Sequence, residues 1–338
     1  MAVFVQDYAG HSKKSDDPAT ASRMPVLFVG HGSPMNAIED NAFSRTWREL
    51  GREFTGESLA SAPTPTVTAS APAAPTAAPP FPRPKAILMI SAHWFTSGTL
   101  IMANERPGMI YDMYGFPRPL YEIEYPAPGA PELAETIHQL LLKPDERTGR
   151  SAASGARPST SWGFDHGGWS VLVHLFPKAD IPLLQLSVDR TAAPAEKFAI
   201  GQALKPLRDQ GVLIIGSGNV VHNLGLVQFG LEGGKPWADA FDIAVKDAII
   251  RHRFDEVVDY PTITSKHAPT ASATPNPARL ATATERLATA TEMLAVPTTD
   301  HFDPLLYVLG AADDHDPITV FNEARIYGSL SMTSYLIG

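Results

Sequence analysis

The sequence PVLFVGHGSP occupies residues 25–34 and begins with a short apolar run that ends in a glycine and a histidine. An apolar run of this length, bounded by turn residues, is typical of a strand that is covered on both faces of a sheet. The chain contains further runs of the same kind. Each of them predicts a strand: AILMIS (86–91), IPLLQLSV (181–188), VLIIGSG (212–218) and ITVF (318–321).

Segments with helical character separate these apolar runs along the chain. Strands that alternate with helices indicate an α/β fold, in which helices flank a mostly parallel central sheet. The sequence therefore predicts a single α/β domain of this architecture. We expect its helices near residues 40–51, 131–143, 168–176, 194–209, 237–252 and 302–311.

Composition limits the classes of function. The chain has 338 residues, 44% of them hydrophobic and 19% charged, as is typical of a globular protein with a large core. A net charge of -9 offers no basic surface for nucleic acid or an anionic membrane, so we expect a small-molecule partner. The chain has no cysteine, which excludes disulfides, thiolate metal sites and cysteine nucleophiles. Any metal must therefore bind histidine, aspartate or glutamate.

The start of the chain and its hydropathy predict a cytoplasmic location. The first residues, MAVFVQDYAGHSKKSDDPATASRM, have neither the basic start nor the apolar core of a secretory signal. No apolar run approaches the roughly 18 residues that a membrane-spanning helix needs. We therefore expect no membrane association.

Two stretches of low complexity interrupt the predicted domain. Residues 58–82 consist almost wholly of alanine, proline, threonine and serine, a composition typical of a mobile loop. Residues 265–299 contain the heptad RLATATE twice in tandem, at 279–285 and 286–292, which is compatible with a short helix. We interpret residues 1–23 as a flexible tail and residues 24–338 as one catalytic domain that carries both stretches as surface insertions.

Three histidines follow predicted strands. His31 comes directly after VLFVG, His93 follows AILMISA, and His222 follows VLIIGSGNVV. In open α/β sheets, ligands bind beyond the carboxyl ends of the strands, so these imidazoles can converge although they are distant in sequence. One histidine after a strand is more often a structural residue, but three in equivalent positions favour a metal or catalytic site.

His301 and His166 have less decisive contexts. His301 lies in TTDHFDPLLYVLG at the start of a predicted helix, where Asp300 and Asp303 are typical of a capping cluster. His166 lies in WGFDHGGW, a composition that suits a shaped loop against an apolar ligand, with Asp165 as a candidate to orient its ring. The residues alone favour capping near His301 and leave the role of His166 open.

Several motifs together resemble the class III extradiol ring-cleavage dioxygenases of the 4,5-DOPA type, within the LigB-like superfamily. They occur in the same order as in that family and extend over nearly the whole chain from Met24 to Gly338. The motifs are MPVLFVGHGSPMNAIEDN, PRPKAILMISAHWFT, YGFPRPLYEIEYPAPG, WGFDHGGWSVL, DIPLLQLSVD, GSGNVVHNLG, HFDPLLYVLGA and GSLSMTSYLIG.

The resemblance implies a function and a role for each candidate histidine. It implies an oxidoreductase that opens the aromatic ring of a small diol, a catechol such as 4,5-DOPA, with O2. By position, His31, His93 and His301 correspond to the ligands of one divalent metal ion per chain, Zn(II) or Fe(II). His222 corresponds to an acid/base group that some members use as a fourth metal ligand, and His166 would line the substrate pocket. The two insertions depart from the usual length of the family.

Two other functions are compatible with the same histidines. Non-haem iron oxygenases usually bind iron with two histidines and one carboxylate, whereas an all-imidazole set also suits zinc. A zinc-dependent hydrolase or a non-catalytic metal-binding protein therefore remains an alternative. Asp300 and Asp165 are the nearby carboxylates that could complete an iron site. The sequence leaves open the metal and the oligomeric state, monomer or small homo-oligomer.

Overall fold

The computed structural model describes residues 23–56, 80–144, 149–267 and 291–338. The interpretations made for the tail before residue 23, for nearly all of the stretch 58–82 and for most of the tandem heptad lie outside these residues. Residues 291–295, at the end of the second heptad and just beyond it, are helical. In the part of the chain that is described, no helix is long and apolar enough to cross a membrane.

The strands form one large sheet and one small sheet. The large sheet has eight strands in the order β4-β3-β5-β2-β6-β1-β10-β7, and β8 pairs with β9. The strands are β1 Val26–Gly30, β2 Ala86–Thr96, β3 Leu100–Met102, β4 Arg157–Ser159, β5 Leu183–Asp189, β6 Val212–Gly218, β7 Ile318–Phe321, β8 Arg325–Ile326, β9 Leu330–Ser331 and β10 Ser334–Ile337.

The centre of the large sheet is parallel and its flanks are mixed. β5, β2, β6 and β1 pair in parallel, whereas β10 runs antiparallel to β1 and to β7. The four central strands are almost completely buried, as continuous apolar runs require in a sheet covered on both faces. The predicted α/β domain with a mostly parallel sheet is confirmed. The sequence prediction did not include β3, β4, β8, β9 and β10, which have two to four residues each.

The predicted helices are present, with shifted ends. The first begins at Ala42 instead of residue 40, because the side chain of Asn41 accepts the backbone N–H of Ser44 and caps the helix. The helices are α1 Ala42–Thr55, α2 Pro131–Leu142, α3 His166–Leu175, α4 Pro194–Leu204, α5 Pro236–Ile250, α6 Phe254–Val258, α7 Ile263–His267 and α8 Asp303–Ala311. Short 3-10 helices are Pro34–Ala37, Arg118–Glu122, Lys205–Gln210, Leu224–Leu226 and Tyr260–Thr262.

Helix α3 corrects one interpretation of the sequence. His166 is the first residue of this helix and does not belong to a loop. The helix begins there because Asp165 is its N-cap, with a side chain that accepts the backbone N–H of Gly168. His166 therefore has a fixed backbone position, supported by a helix that packs against the sheet.

Helices α4 and α8 cross at unusually close range. A Cβ atom built on Gly201 of α4 would lie 2.1 Å from the backbone oxygen of Tyr307, and one built on Gly310 of α8 would lie 2.1 Å from that of Phe198. Any side chain at either position would therefore force the two helices apart. The contact between them supports α8, whose first residues follow His301.

Gly201→Ala should destabilise the protein by about 1–3 kcal/mol, because the added methyl group overpacks the crossing. Helix propensity acts in the opposite direction and would favour alanine by roughly 0.5–1 kcal/mol. The sign of the change in free energy of unfolding, measured by urea denaturation, therefore separates the two effects. The matched control is Gly155→Ala, where a Cβ atom meets nothing within 4 Å. A more stable Gly201→Ala protein would contradict the prediction.

Candidate metal centre

His31 and His93 lie on either side of the central strand β6. His31 follows β1 directly, and its backbone N–H donates to the carbonyl of Gly218 at the end of β6. His93 lies inside β2, which continues to Thr96, and not at a strand tip as the sequence suggested. The register of β2 against β5 shifts between Ser91 and Phe95, and pairing with β6 ends at Ser91. This irregularity brings His93 to the same edge of the sheet as His31.

His301 joins these two residues from the segment before α8. Its backbone carbonyl accepts the N–H of Asn219 at 2.8 Å. Gly218 makes this approach feasible, because a Cβ atom there would lie 2.1 Å from the same carbonyl oxygen. His31, His93 and His301 each offer one ring nitrogen, and these atoms all lie within 4.8 Å of one another.

Each of the three imidazoles has a separate partner at Nδ1. The partner of His31 is the hydroxyl of Ser217 at 2.9 Å. The partner of His301 is the carboxylate of Asp300 at 2.6 Å. The partner of His93 is a carboxylate oxygen of Asp112 at 3.0 Å. Partners of this kind fix the orientation and the tautomer of metal-binding histidines and leave Nε2 for the ion.

The spacing and the chemistry of these nitrogens fit a divalent transition metal. The Nε2 atoms of His31 and His93 are 3.2 Å apart. Two imidazoles on one ion, each at about 2.1 Å, place their nitrogens roughly 3.0–3.4 Å apart for bond angles near 90–110°. Imidazole suits both zinc and iron. His31, His93 and His301 could therefore hold one such ion.

His222 lies beside this group in a different arrangement. Its ring stacks on that of His301, with centroids 3.5 Å apart and planes only 6° apart. Its backbone N–H donates to the carbonyl of Ala295, in the helical turn before His301. The structure thus brings His222 close to His31 and His93, as the sequence predicted, but places it beside the three converging nitrogens and not among them.

His166 lies against His93, with ring centroids 3.9 Å apart. Its ring is close to Asp112, whose Oδ1 lies 2.9 Å from Nδ1. The interpretation that Asp165 orients this ring was wrong. The Asp165 carboxylate instead accepts hydrogen bonds from Ser91 and Gln185 and caps α3.

Asp112 is the site residue that the sequence reasoning missed. It occurs in MIYDMYGF, between β3 and the next 3-10 helix, without a strand or helix pattern to place it. The available signal was a single carboxylate in a run of aromatic and apolar residues. Such a residue is costly to bury without a partner, and its partner here is a pair of imidazoles.

Most rings of the cluster are held neutral. Burial, with the neighbouring His93 next in importance, lowers the pKa of His31 well below its usual value. Burial also lowers the pKa of His301 to about 4, although the contact with Asp300 opposes it. Burial and the adjacent His301 lower the pKa of His222 to about 2. These rings are uncharged near pH 7, which is the state of imidazole that binds a metal ion.

His93 behaves differently because of its carboxylate neighbours. Burial acts to lower its pKa, but the contact with Asp112 and the charges of Asp165 and Asp300 outweigh burial, so the net shift is upward. Burial acts to raise the pKa of Asp112, but its contacts with His166 and His93 hold it far below its usual value. Asp112 is therefore a carboxylate at neutral pH.

A family model described as the catalytic LigB subunit of aromatic ring-opening dioxygenase matches residues 27–284. The match covers most of the chain and includes four of the five clustered histidines. The chain belongs to this family. The protein is thus an oxidoreductase, a ring-opening dioxygenase of the extradiol type.

Curated relatives and a solved structure agree with this assignment. This chain is 39% identical to a 4,5-DOPA dioxygenase extradiol from Escherichia coli K12, and the aligned region covers 94% of this chain and 96% of that relative. One from Beta vulgaris is 33% identical, over 92% and 95% of the two chains. The crystal structure of an uncharacterized protein from Escherichia coli K12 superposes with a TM-score of 0.64 at 36% identity, covering 94% of this chain and all of that one. These relatives favour a dioxygenase over the zinc hydrolase and over a non-catalytic metal-binding protein.

Gly218→Ala should weaken metal binding by the dioxygenase by about tenfold or more, because the new methyl group displaces the carbonyl of His301 and moves its imidazole. Zinc affinity, measured by competition with a chromophoric chelator, reports this effect. The matched control is Gly129→Ala, where a Cβ atom would lie 1.8 Å from the backbone oxygen of Asn104, an equally close overlap that involves none of the three ligands. If both variants bind zinc as the wild type does, the approach of Gly218 to His301 does not determine the geometry of the site.

Proposed function

We propose that the dioxygenase cleaves the ring of catechols such as 4,5-DOPA beside the diol, with O2 as the co-substrate and one divalent metal ion, Fe(II) or Zn(II), per chain. The observation that supports this proposal most directly is the convergence of ring nitrogens from His31, His93 and His301. Two further imidazoles, His222 and His166, flank that point. In addition, both curated relatives are named for 4,5-DOPA cleavage.

We assign metal binding to His31, His93 and His301. An iron ion held by these residues would supply electron transfer between the bound diol and O2. The remaining steps need groups that orient the diol and move protons, because a catechol loses phenolic protons before its ring opens. The chain provides such groups next to the three ligands.

We assign proton transfer to His222. Burial and the adjacent His301 lower its pKa, so the imidazole is neutral near pH 7 and has a lone pair that can accept a hydrogen bond from a phenolic O–H. Among the described residues, none makes a hydrogen bond to its ring, which is only partly buried and can contact a substrate. The same ring, once protonated, can return the proton when the ring of the substrate opens.

We assign substrate positioning to His166. Its ring lies against His93 and meets that of His31 edge-on, with centroids 5.8 Å apart. Its position at the first turn of α3 is rigid, because Asp165 caps the helix and the His166 backbone N–H donates to Asp112. A ring held in this way can orient an aromatic diol beside the ligands.

The reconstituted enzyme should consume O2 when it is given a catechol. Metal-free protein, loaded anaerobically with Fe(II) or with Zn(II), is mixed with DOPA and with simpler catechols. Oxygen uptake and the appearance of a yellow product are then followed together. We expect uptake with the iron form, because iron can pass electrons between substrate and O2 whereas zinc has no redox chemistry. If no metal form consumes O2 with any of the catechols, the proposed function is contradicted.

Variants of His31 and His222 should separate metal binding from proton transfer. His31→Ala should abolish binding of the metal, since one of three ligands is lost. His222→Gln should retain most of the metal while turnover falls by about 100-fold or more, as expected for loss of an acid/base group. Metal content by elemental analysis and oxygen uptake provide the two measurements. The control is His315→Gln, an exposed histidine away from the site. Loss of the metal from His222→Gln would instead make His222 a fourth ligand.

A further inference from the structure

Asp112 lies between two imidazoles that have different proposed roles. Its Oδ2 is 3.0 Å from Nδ1 of His93, and its Oδ1 is 2.9 Å from Nδ1 of His166. Asp112 as a whole residue is exposed, but its side chain is only 18% exposed, because the carboxylate turns toward the two rings. One carboxylate thus reaches both a proposed metal ligand and the proposed substrate-positioning residue.

The backbone around Asp112 is fixed against the start of α3. The N–H of Ile110 donates to the carbonyl of Phe164 at 2.6 Å, and the indole N–H of Trp169 donates to the carbonyl of Ile110 at 3.0 Å. The N–H of His166 donates to Oδ1 of Asp112 at 2.9 Å. These bonds approach the segment from two sides, so the carboxylate has little freedom to move away from the rings.

The two contacts with the rings are both close contacts between a carboxylate oxygen and a ring nitrogen. The hydrogen bond to Asp112 in this group comes from the backbone N–H of His166, which donates to Oδ1. At His93, the contact with Nδ1 leaves Nε2 facing Nε2 of His31. A carboxylate at Nδ1 is the partner that typically orients a metal-binding histidine.

The other two proposed ligands have partners that serve one ring each. Ser217 contacts Nδ1 of His31 and donates its own proton to the carbonyl of Gly167. Asp300 contacts Nδ1 of its neighbour His301. Among these three partners, Asp112 alone also contacts the ring of His166. A change at Asp112 should therefore affect both metal binding and the placement of His166.

We propose that Asp112 is a positioning residue that couples the metal ligand His93 to the substrate-positioning residue His166. This inference rests on the proposed function, because it takes His93 as a ligand and His166 as a substrate contact. The carboxylate sets the direction of Nε2 in His93 and, through the backbone N–H, the position of the His166 ring. Metal affinity and substrate orientation then depend on the same side chain.

A second metal site is the competing explanation of the same residues. His93, Asp112 and His166 also offer ligand atoms that all lie within 4.8 Å of one another. The oxygens lie 2.9 and 3.0 Å from the two Nδ1 atoms, which is direct contact distance. Ligands at about 2.0–2.2 Å from one ion, at bond angles near 90–110°, would be roughly 2.8–3.6 Å apart, a range that includes these distances. The number of ions bound per chain therefore distinguishes the two explanations.

The first test measures metal binding without any turnover. Asp112→Asn, Asp112→Glu and wild-type protein are titrated with Zn(II) against a chelator, and the visible absorption of Co(II) reports the geometry of the ligands. We expect one ion per chain in all of them. In Asp112→Asn, we expect binding weakened by about 10–100-fold and a changed Co(II) spectrum. Asp112→Glu should recover part of the affinity, because it restores the carboxylate.

The matched control is Asp316→Asn. Asp316 is another aspartate with a side chain that is 15% exposed, and it pairs with Arg208 away from the site. This variant should bind zinc within about threefold of the wild type. Circular dichroism and thermal unfolding of the metal-free proteins show whether any variant has lost its fold, and Asp112→Glu provides a second variant if Asp112→Asn has.

The second test examines the coupling to His166 by kinetics with a catechol. His166→Gln should raise KM while leaving zinc affinity within about threefold. In the double variant Asp112→Asn/His166→Gln, the increase in KM should be smaller than the product of the two single increases, because both changes disturb one contact. The weakening of zinc binding by Asp112→Asn should persist in the His166→Gln background, because it acts through His93.

Three results would overturn the inference. Wild-type zinc affinity and an unchanged Co(II) spectrum in Asp112→Asn would mean that the carboxylate does not position His93. A second ion per chain that is lost in Asp112→Asn would make Asp112 a ligand. Independent effects of Asp112→Asn and His166→Gln on KM would refute the coupling. The metal titrations do not depend on ring cleavage, so a lack of oxygen uptake would contradict the proposed function without deciding the role of Asp112 in metal binding.

Discussion

Three imidazoles in mutual contact at the edge of a buried sheet impose the central constraint on this molecule. The ring centroids of His31, His93 and His301 lie 5.1–5.3 Å apart, so a charge on one ring disfavours a charge on the next. Burial and this repulsion lower the pKa values of His31 and His301. The carboxylates of Asp112 and Asp300 lie just outside the rings and remain ionised. Two neutral ligands, His31 and His301, next to two negative charges match a divalent cation in charge as well as in donor type.

The fold meets this constraint with small residues at the ends of its central strands. A Cβ atom on Gly30, at the end of β1, would lie 2.7 Å from the backbone of Met332, and one on Gly218, at the end of β6, would lie 2.1 Å from that of His301. Both glycines let another segment pack directly on a strand end. The site therefore combines residues from distant parts of the chain with a rigid sheet, and its geometry depends on backbone packing as much as on the ligands.

The sequence predicted the parts of this arrangement that depend on local pattern. His31 directly follows a short apolar run, and His222 lies a few residues after another. Because such runs predict buried strands, and ligands bind at the carboxyl ends of strands in α/β folds, the sequence predicted the correct edge of the sheet for both residues. His93 was placed correctly but for an incomplete reason, since β2 continues past it through a register shift that no local pattern indicates. Asp112 could not be placed, because its role arises only when its segment packs against α3. The residues around His301 favoured a capping cluster, and only the resemblance to the family indicated a metal ligand.

The stacking of His222 on His301 bears on which of the two binds the ion. The lone pair of an imidazole nitrogen lies in the plane of its ring. Two stacked rings with planes 6° apart and centroids 3.5 Å apart therefore direct their lone pairs within two separate, nearly parallel planes. One ion at about 2.1 Å from a nitrogen of each ring cannot lie in both planes, whereas the planes of His31 and His93 are tilted by 50° and intersect. A metal ion in the plane of the His301 ring lies outside the plane of the His222 ring. This arrangement favours metal binding for His301 and proton transfer for His222.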